Sequence, residues 1–437
     1  MTITVPRRLV QASGGPRYAV ALAVDALGTG MLRPFLLLYG INVLGLSATT
    51  TGIAMTAGIV TGLGCTPALG RWLDRGARSD AVAAAMLVRV LGVALLLAAP
   101  GGSPGMFAAA ALFLGIGNQA WPAAHAALVT TVSSGRTRDA ALAAARSVRN
   151  AGMGVGALVA TACLAGGTPA LKALAAVTAA AYATAAVLAW STHVTAAAPA
   201  GQAPAAPQAP APSMNPLLLA NVVLVFCLNV PEVALPLVLA TQVHAAPAWS
   251  AGVFVINTVV VVGLQVAVTV RMSRFPRHIT LMAAGMILTL SYLGFLLATP
   301  LGHGLAAPVI TAVSVVCTLG EILYAGSATA LVAATAPPHA LGRALARLQL
   351  STGLGLAISP AVMTALATHG PATLWGSLAV ATLLAATAVG RSGSRPRPHR
   401  PAGQPSDPAE GPLPGEGRAT GAYEGRPEVP RAGVPSR

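Results

Sequence analysis

The sequence predicts an all-α polytopic membrane protein: twelve transmembrane helices in two six-helix pseudo-symmetric bundles. Three observations carry that prediction. Only 8% of the 437 residues are charged while 55% are hydrophobic, and mean hydropathy is +0.72. A soluble globular chain carries roughly 25% charged residues. Here run after run of about 20 residues lacks any charge, the length at which an α-helix crosses ~30 Å of hydrocarbon. The arginines alternate from loop to loop, and the chain half-matches itself at an offset of about 200 residues.

Hydropathy places the spans at 18–40, 48–69, 81–99, 105–131, 140–165, 170–192, 215–240, 249–270, 278–299, 305–333, 341–367 and 371–390. One set of connections holds Arg7, Arg8 and Arg17, then 71–78, then Arg136 and Arg138, then Arg271, Arg274 and Arg277, then Arg343 and Arg347, then the tail. The other set, near 44, 102, 168, 245, 302 and 369, holds almost none, with Lys172 its only nearby base. Basic loops stay in the cytoplasm, so both termini are expected there and the span count must be even. The first apolar stretch follows basic residues as a signal peptide would. Asp25 interrupts it, however, and it resumes as far as Tyr39, which marks an uncleaved first span of an inner (plasma) membrane protein.

Residues 1–17 form the cytoplasmic N-terminus, 18–192 the first bundle and 215–390 the second. Between them, 193–214 contains the charge-free "TAAAPAGQAPAAPQAPAPS", which reads as an extended cytoplasmic linker. Residues 391–437 are rich in Pro, Gly and Arg with few large apolar side chains, the composition of a disordered cytoplasmic tail.

Net charge is +15, yet the arginines fall in loops and tail rather than on one amphipathic face, so nucleic acid is not the partner. Cys65, Cys163, Cys227 and Cys317 lie inside apolar spans with no zinc spacing, and no metal or cofactor is expected. No histidine cluster, metal spacing or nucleophile elbow points to an enzyme. The partners implied are the lipid bilayer and a small-molecule substrate, with protons as coupling ion and the protein a monomer.

The repeat is specific. "GIGNQAWPAAHAALVTT" at 115–131 aligns with "LGEILYAGSATALVAAT" at 319–335, and "ARSVRNAGMGVGAL" at 145–158 with "ARLQLSTGLGLAIS" at 346–359. Arg146 thereby meets Arg347, and Gly152 meets Gly353. Each half starts and ends on one side, so the halves are related by an axis along the membrane normal. Between spans two and three, "GRWLDRGARSD" concentrates five charges in eleven residues: Arg71, Asp74, Arg75, Arg78 and Asp80.

Twelve spans, a six-plus-six repeat, a central linker and this charged turn together resemble the major facilitator superfamily, in its bacterial drug- and metabolite-efflux form. Gly70, Asp74, Arg75, Gly76 and Arg78 fill the family's signature turn, with the second glycine displaced by one. The resemblance implies a latch that closes the cytoplasmic side. Asp74 would meet the start of span eleven, where helix N–H groups favour an anion, and Arg75 or Arg78 would reach Asp139 at the start of span five. Read from charge alone, the turn is equally a solvated loop that fixes orientation, although orientation requires no Asp74. Two antiporter patterns are damaged: Ala111 stands four residues before Gly115 where the family usually has Arg, and Ala157 follows Gly152, Gly154 and Gly156 where it has Pro.

An ionisable group at mid-bilayer costs about 2.5–3.5 kcal/mol on insertion scales and so faces a cavity or a partner. The spans hold Asp25, Arg33, Arg89, His125, Glu232 and Glu321. The resemblance implies that spans one, four, seven and ten line a central cavity, and five of these six lie on them. Glu321, at mid-span, is the first candidate for taking a proton or a cation, and Asp25 the second. Arg33 and Glu232, both beside prolines, would pair across the halves as an outer gate or bind a charged substrate. Arg89 reads as a structural partner of Asp25, and His125 as either packed or cavity-lining. Asn118, Gln119, Asn229 and Gln265 offer polar contacts, and Trp121, Tyr39 and Tyr324 aromatic ones. Unpaired carboxylates among apolar walls point to proton-coupled efflux of a small amphipathic or cationic compound by alternating access. Import or uniport of a metabolite is the alternative, and a non-transporting membrane sensor a further one.

Overall fold

The computed structural model of the chain describes residues 9–163, 166–196, 214–302 and 304–393. The disordered tail and nearly all of the linker predicted from sequence lie outside these residues. Within them the chain is helical throughout, with no β-strand and one isolated bridge, and it forms twelve spans in two six-helix bundles.

The helices start and stop where proline, glycine and arginine punctuate the sequence. Ala48–Asp74 begins at Ser47, whose side chain accepts the Thr50 N–H as an N-cap. Pro16, Pro104 and Pro371 each open a helix, where the missing proline N–H leaves no bond unmade. Ser79–Ala98, Pro104–Val132, Gly135–Cys163 and Gly167–Trp190 complete the first half. The second half runs through Pro247–Met272, Arg277–Ala298, Ala306–Thr335, Leu341–Ala367 and Pro371–Gly393.

The first and seventh spans are broken. Pro16–Leu32 meets Leu36–Asn42 through the 3-10 turn Arg33–Phe35, with a 42° bend. Asn215–Leu224 passes through a 3-10 turn (Val225–Asn229) and a π turn (Val230–Ala234) before Leu235–Thr241. Pro231 and Pro236 remove N–H donors from the ladder there, and the backbone changes helical type to satisfy the freed carbonyls. Arg33 and Glu232 stand at these breaks, at corresponding places in the two halves.

Among the described residues nine helices are individually long and apolar enough to cross a membrane, and the bent first pair makes a tenth. The remaining two, Pro104–Val132 and Gly135–Cys163, are 29 residues each and long enough. They fall short in apolarity because they carry Asn118, Gln119, His125, Arg146, Arg149 and Asn150. Those are the side chains that the bundle turns inward.

Packing within the first half depends on backbone approach. Gly115 in span four lies against the backbone of Gly58 in span two, and Gly58 against that of Ala111. In lipid, where burial of apolar surface gives no driving force, such close approach is what joins helices. Gly115→Val is expected to lower the thermal midpoint of the detergent-solubilised protein by a cost of about 1–3 kcal/mol from overpacking. Gly64→Ala, at a helical position with open space around it, is the control expected not to lower the midpoint.

The buried apolar side chains show which end of the molecule is closed. One cluster (Tyr39, Phe107, Leu114) belongs wholly to the first half and lies toward the end with few arginines. A second (Leu224, Phe295, Trp375) belongs wholly to the second half. A third crosses between them at the Arg-rich end, joining Leu73, Met86 and Leu128 to Val332, Leu341 and Leu348.

Candidate functional site

A cavity of about 460 Å³ lies between the halves. Span four lines it with Asn118, Gln119, Trp121 and His125, span five with Arg146, Arg149 and Met153, and span eleven with Gln349 and Leu356. Arg33 of span one and Tyr324 of span ten are also in the wall. Gln349 donates to the Gln119 Oε1 at 3.0 Å, a polar link across the cavity.

The Arg-rich end is fastened by acids from the first half. Asp74 Oδ1 accepts the Gly342 N–H at 2.6 Å and the Arg343 N–H at 3.4 Å, and Oδ2 takes the Arg343 Nε at 2.6 Å. The carboxylate thus sits on the exposed N–H groups and partial positive charge of a helix start. Gly70 packs against Arg343 and Ala346 of the same helix, where a side chain would collide. Gly76 adopts φ 101°, a conformation that favours glycine, and its carbonyl accepts the Ala196 N–H at 3.1 Å. Ser79 N–H bonds the Val194 carbonyl at 3.1 Å, so residues after span six strap the charged turn to their own half.

Asp139 corrects one expectation. Neither Arg75 nor Arg78 pairs with it; Arg277, from the other half, does, at 2.8 Å through Nη2 and 3.1 Å through Nε. Arg78 is buried and donates instead to Thr131 Oγ1 at 2.7 Å and to the Leu73 carbonyl at 2.5 Å. Burial lowers its guanidinium from the ordinary value, with the Asp74 charge opposing the change. Arg75 is exposed. Arg78 therefore shapes the turn, while Arg277 supplies the cross-link.

Of the carboxylates expected to stand unpaired in the cavity, Asp25 and Glu321 are both paired. Asp25 is 0% exposed and lies behind the wall, with Arg89 Nη2 at 2.6 Å from Oδ1 and Arg149 Nη1 at 3.2 Å from Oδ2. Arg89 also lies 4.4 Å over the Tyr182 ring, and Arg149 4.2 Å over that of Trp121. Asp25 is thus a buried structural anion, unsuited to the cavity-facing role expected of it. Glu321, 7% exposed, accepts from Asn257 Nδ2 at 3.0 Å and faces Arg146 Nη2 at 3.5 Å. Among the described residues no carboxylate lines the cavity.

Arg33 and Glu232 form no ion pair among the described residues, so the outer gate expected from sequence is not closed here. Arg33 remains near enough for its charge to act on Glu232. His125 is 6% exposed, stacked on Trp121 at 4.9 Å, with Nδ1 2.7 Å from the Tyr18 hydroxyl, so it is both packed and in the cavity wall. Asn229 bonds Ser359 and the Leu356 carbonyl, Gln265 bonds Thr269 and the Ile322 carbonyl, and Tyr39 is buried, so these three hold helices together.

Arg146 and Arg149 are the residues that sequence reasoning missed. Arg146 entered it only as the repeat partner of Arg347, which the structure leaves exposed. The available signal was their spacing: two arginines three residues apart, six and nine residues into the expected span 140–165, share one helix face and are too costly to face lipid.

No curated protein matches the chain by sequence. Solved structures do resemble its fold. A bacterial homologue of the iron transporter ferroportin, outward-facing with soaked iron, aligns with TM-score 0.72 at 12% identity, over 87% of this chain and 99% of that one. The human organic anion transporter MFSD10 (TETRAN) aligns with TM-score 0.68 at 14% identity, over 88% and 99%. FucP, a major facilitator superfamily transporter in the outward conformation, aligns with TM-score 0.63 at 13% identity, over 86% and 97%. These three share its fold. The family model of the Major Facilitator Superfamily matches residues 18–342, from the first span to the start of the eleventh, and the chain belongs to that family.

Proposed function

We propose that the protein is a monomeric, proton-coupled secondary transporter of the inner (plasma) membrane, exporting a small amphipathic compound by alternating access. The Arg-rich end and both termini face the cytoplasm in this reading, which the alternation of basic loops supports. The observation that carries it is the Arg146–Glu321 pair, which crosses from span five to span ten at the cavity wall. As an anion, Glu321 ties the two halves through Arg146. Once protonated, it loses that attraction and keeps Asn257 as its neighbour within its own half. One proton thus changes a link between the two bodies that must rock past each other, the requirement for coupling. The closed Arg-rich end supports an outward-facing state for this structure, with the cavity open opposite.

Import or uniport is the second reading, favoured by Ala111 and Ala157 at positions where antiporters of the family usually carry Arg and Pro. Acid-loaded inverted vesicles containing the protein separate the two when challenged with a panel of compounds of different charge. A compound is expected to discharge the pH gradient in the parent and to fall to the level of empty vesicles in Glu321→Gln. Labelled compound that equilibrates in the parent without moving protons would establish uniport instead.

A further inference from the structure

We infer that the cavity holds an anion site between Arg146 and Arg149, and that the substrate is a small organic anion with an apolar body. This rests on the transporter reading above and names the substrate class of the same cavity.

The charge inventory leads there. The charged side chains in the wall are Arg33, Arg146 and Arg149, and no carboxylate is among them. Behind the wall one carboxylate, Asp25, is shared by two guanidiniums, leaving this buried group one positive charge in excess. The described residues contain six carboxylates, and none of the other five lines the cavity. Asp74 holds Arg343, Asp139 holds Arg277 and Glu321 faces Arg146. Asp80 is exposed in the first turn of span three, and Glu232 lies in the π turn of span seven. An interior cation without its own anion is costly unless something supplies the charge.

Hydrogen-bonding capacity points the same way. A guanidinium has five N–H donors in a planar fork suited to a carboxylate. The ion pairs above engage Arg149 Nη1 and Arg146 Nη2, and Arg146 Nε is buried with no partner among the described residues. His125 Nε2, on a side chain 6% exposed in the same wall, is also without a partner. With the Tyr18 hydroxyl donating to Nδ1, Nε2 carries the ring hydrogen and becomes a further donor. The i, i+3 spacing of the arginines places them about 5–6 Å apart at Cβ, a gap one carboxylate spans. Met153 and Leu356 in the same wall give an apolar body its contacts, while the Trp121 ring is covered by His125 and Arg149.

The test uses three probes of one shape and different charge: 1-naphthoate, 1-naphthalenemethanol and 1-naphthylmethylammonium, with chloride as the inorganic anion. Binding is read as ligand-induced thermal stabilisation of the purified full chain, and transport as uptake of each labelled probe into vesicles. Naphthoate is expected to bind while its neutral and cationic counterparts do not, and chloride to bind far more weakly. Arg149→Gln is expected to weaken naphthoate about 10- to 100-fold, the loss of one or two charged hydrogen bonds. That variant leaves Asp25 and Arg89 as a neutral pair and should fold; Arg146→Gln is the independent second variant. Equal binding of all three naphthyl probes, naphthoate affinity unchanged in both variants, or chloride binding as tightly as naphthoate overturns the proposal. Vesicles that carry the alcohol or the amine but not naphthoate refute the anion site and leave the transporter standing. Naphthoate binding with no probe transported supports the site and refutes the transporter.

Discussion

Asp25→Asn is expected to destabilise the first half severely, lowering the thermal midpoint of the detergent-solubilised protein more than any other single change in the spans. The carboxylate is fully buried and is the counter-ion of both Arg89 and Arg149. Removing one partner of a buried pair costs about 3–5 kcal/mol, because the charge left behind is uncompensated. Here two cations are left, against a total stability for a folded domain of roughly 5–15 kcal/mol. The sign of a second change separates this account from loss of a hydrogen bond. Adding Arg149→Gln to Asp25→Asn removes one stranded cation and should recover part of the midpoint. Neutralising Arg89 as well, with Met, should recover more, since a well-packed neutral group often equals a buried ion pair. An Asp25→Asn protein as stable as its parent, or a double variant worse than the single, would refute the shared-anion arrangement.

The second large effect is expected at the Arg-rich end. Asp74→Asn combined with Asp139→Asn should shift the protein from a closed Arg-rich end toward an open one. Asp74 meets a helix start, worth about 0.3–1 kcal/mol when exposed and up to about 2 when partly buried. Its ion pair with half-exposed Arg343 adds little, because water screens it. Asp139 with Arg277 adds a comparable amount, so about 2–3 kcal/mol is at stake, a population shift of about 30- to 150-fold. Leu348 lies in the apolar cluster that crosses the halves. A Leu348→Cys reporter, in a chain whose four native cysteines are replaced, should therefore react with an impermeant maleimide added on the side of the Arg-rich end at least tenfold faster in the double variant. An unchanged rate would mean that the apolar cluster, rather than the two acids, keeps this end shut.

The spans were legible because a bilayer imposes a rule on every one of them. Twenty residues must be apolar and the loops must sort by charge, and all twelve helices fall within several residues of their expected limits. Spans four and five were legible by the loop alternation more than by apolarity, since their polar side chains point into the bundle. Positions of individual charges were legible too. Their partners were not, because partnering depends on helix rotation, which hydropathy does not report. Asp25 and Arg89 were linked because span three seldom lines the cavity in the family the chain resembles. Arg149, the second partner, was hidden because "ARSVRNAG" reads as the cytoplasmic end of a span rather than as cavity wall. Arg277 was hidden for another reason: it belongs to the opposite half, 138 residues from Asp139, and no local pattern connects them.

Trp121 has a consequence in optics. The chain has five tryptophans. Trp72, Trp190 and Trp249 are exposed, and Trp375 is buried within the second half beside Phe295. Trp121 alone lines the cavity among them, with a guanidinium over its ring and an imidazole stacked on it. An indole's emission responds to charge placed against its face, so the protein carries a built-in chromophore at the point where cargo and cation would meet. Its light should follow occupancy of the cavity without any attached dye.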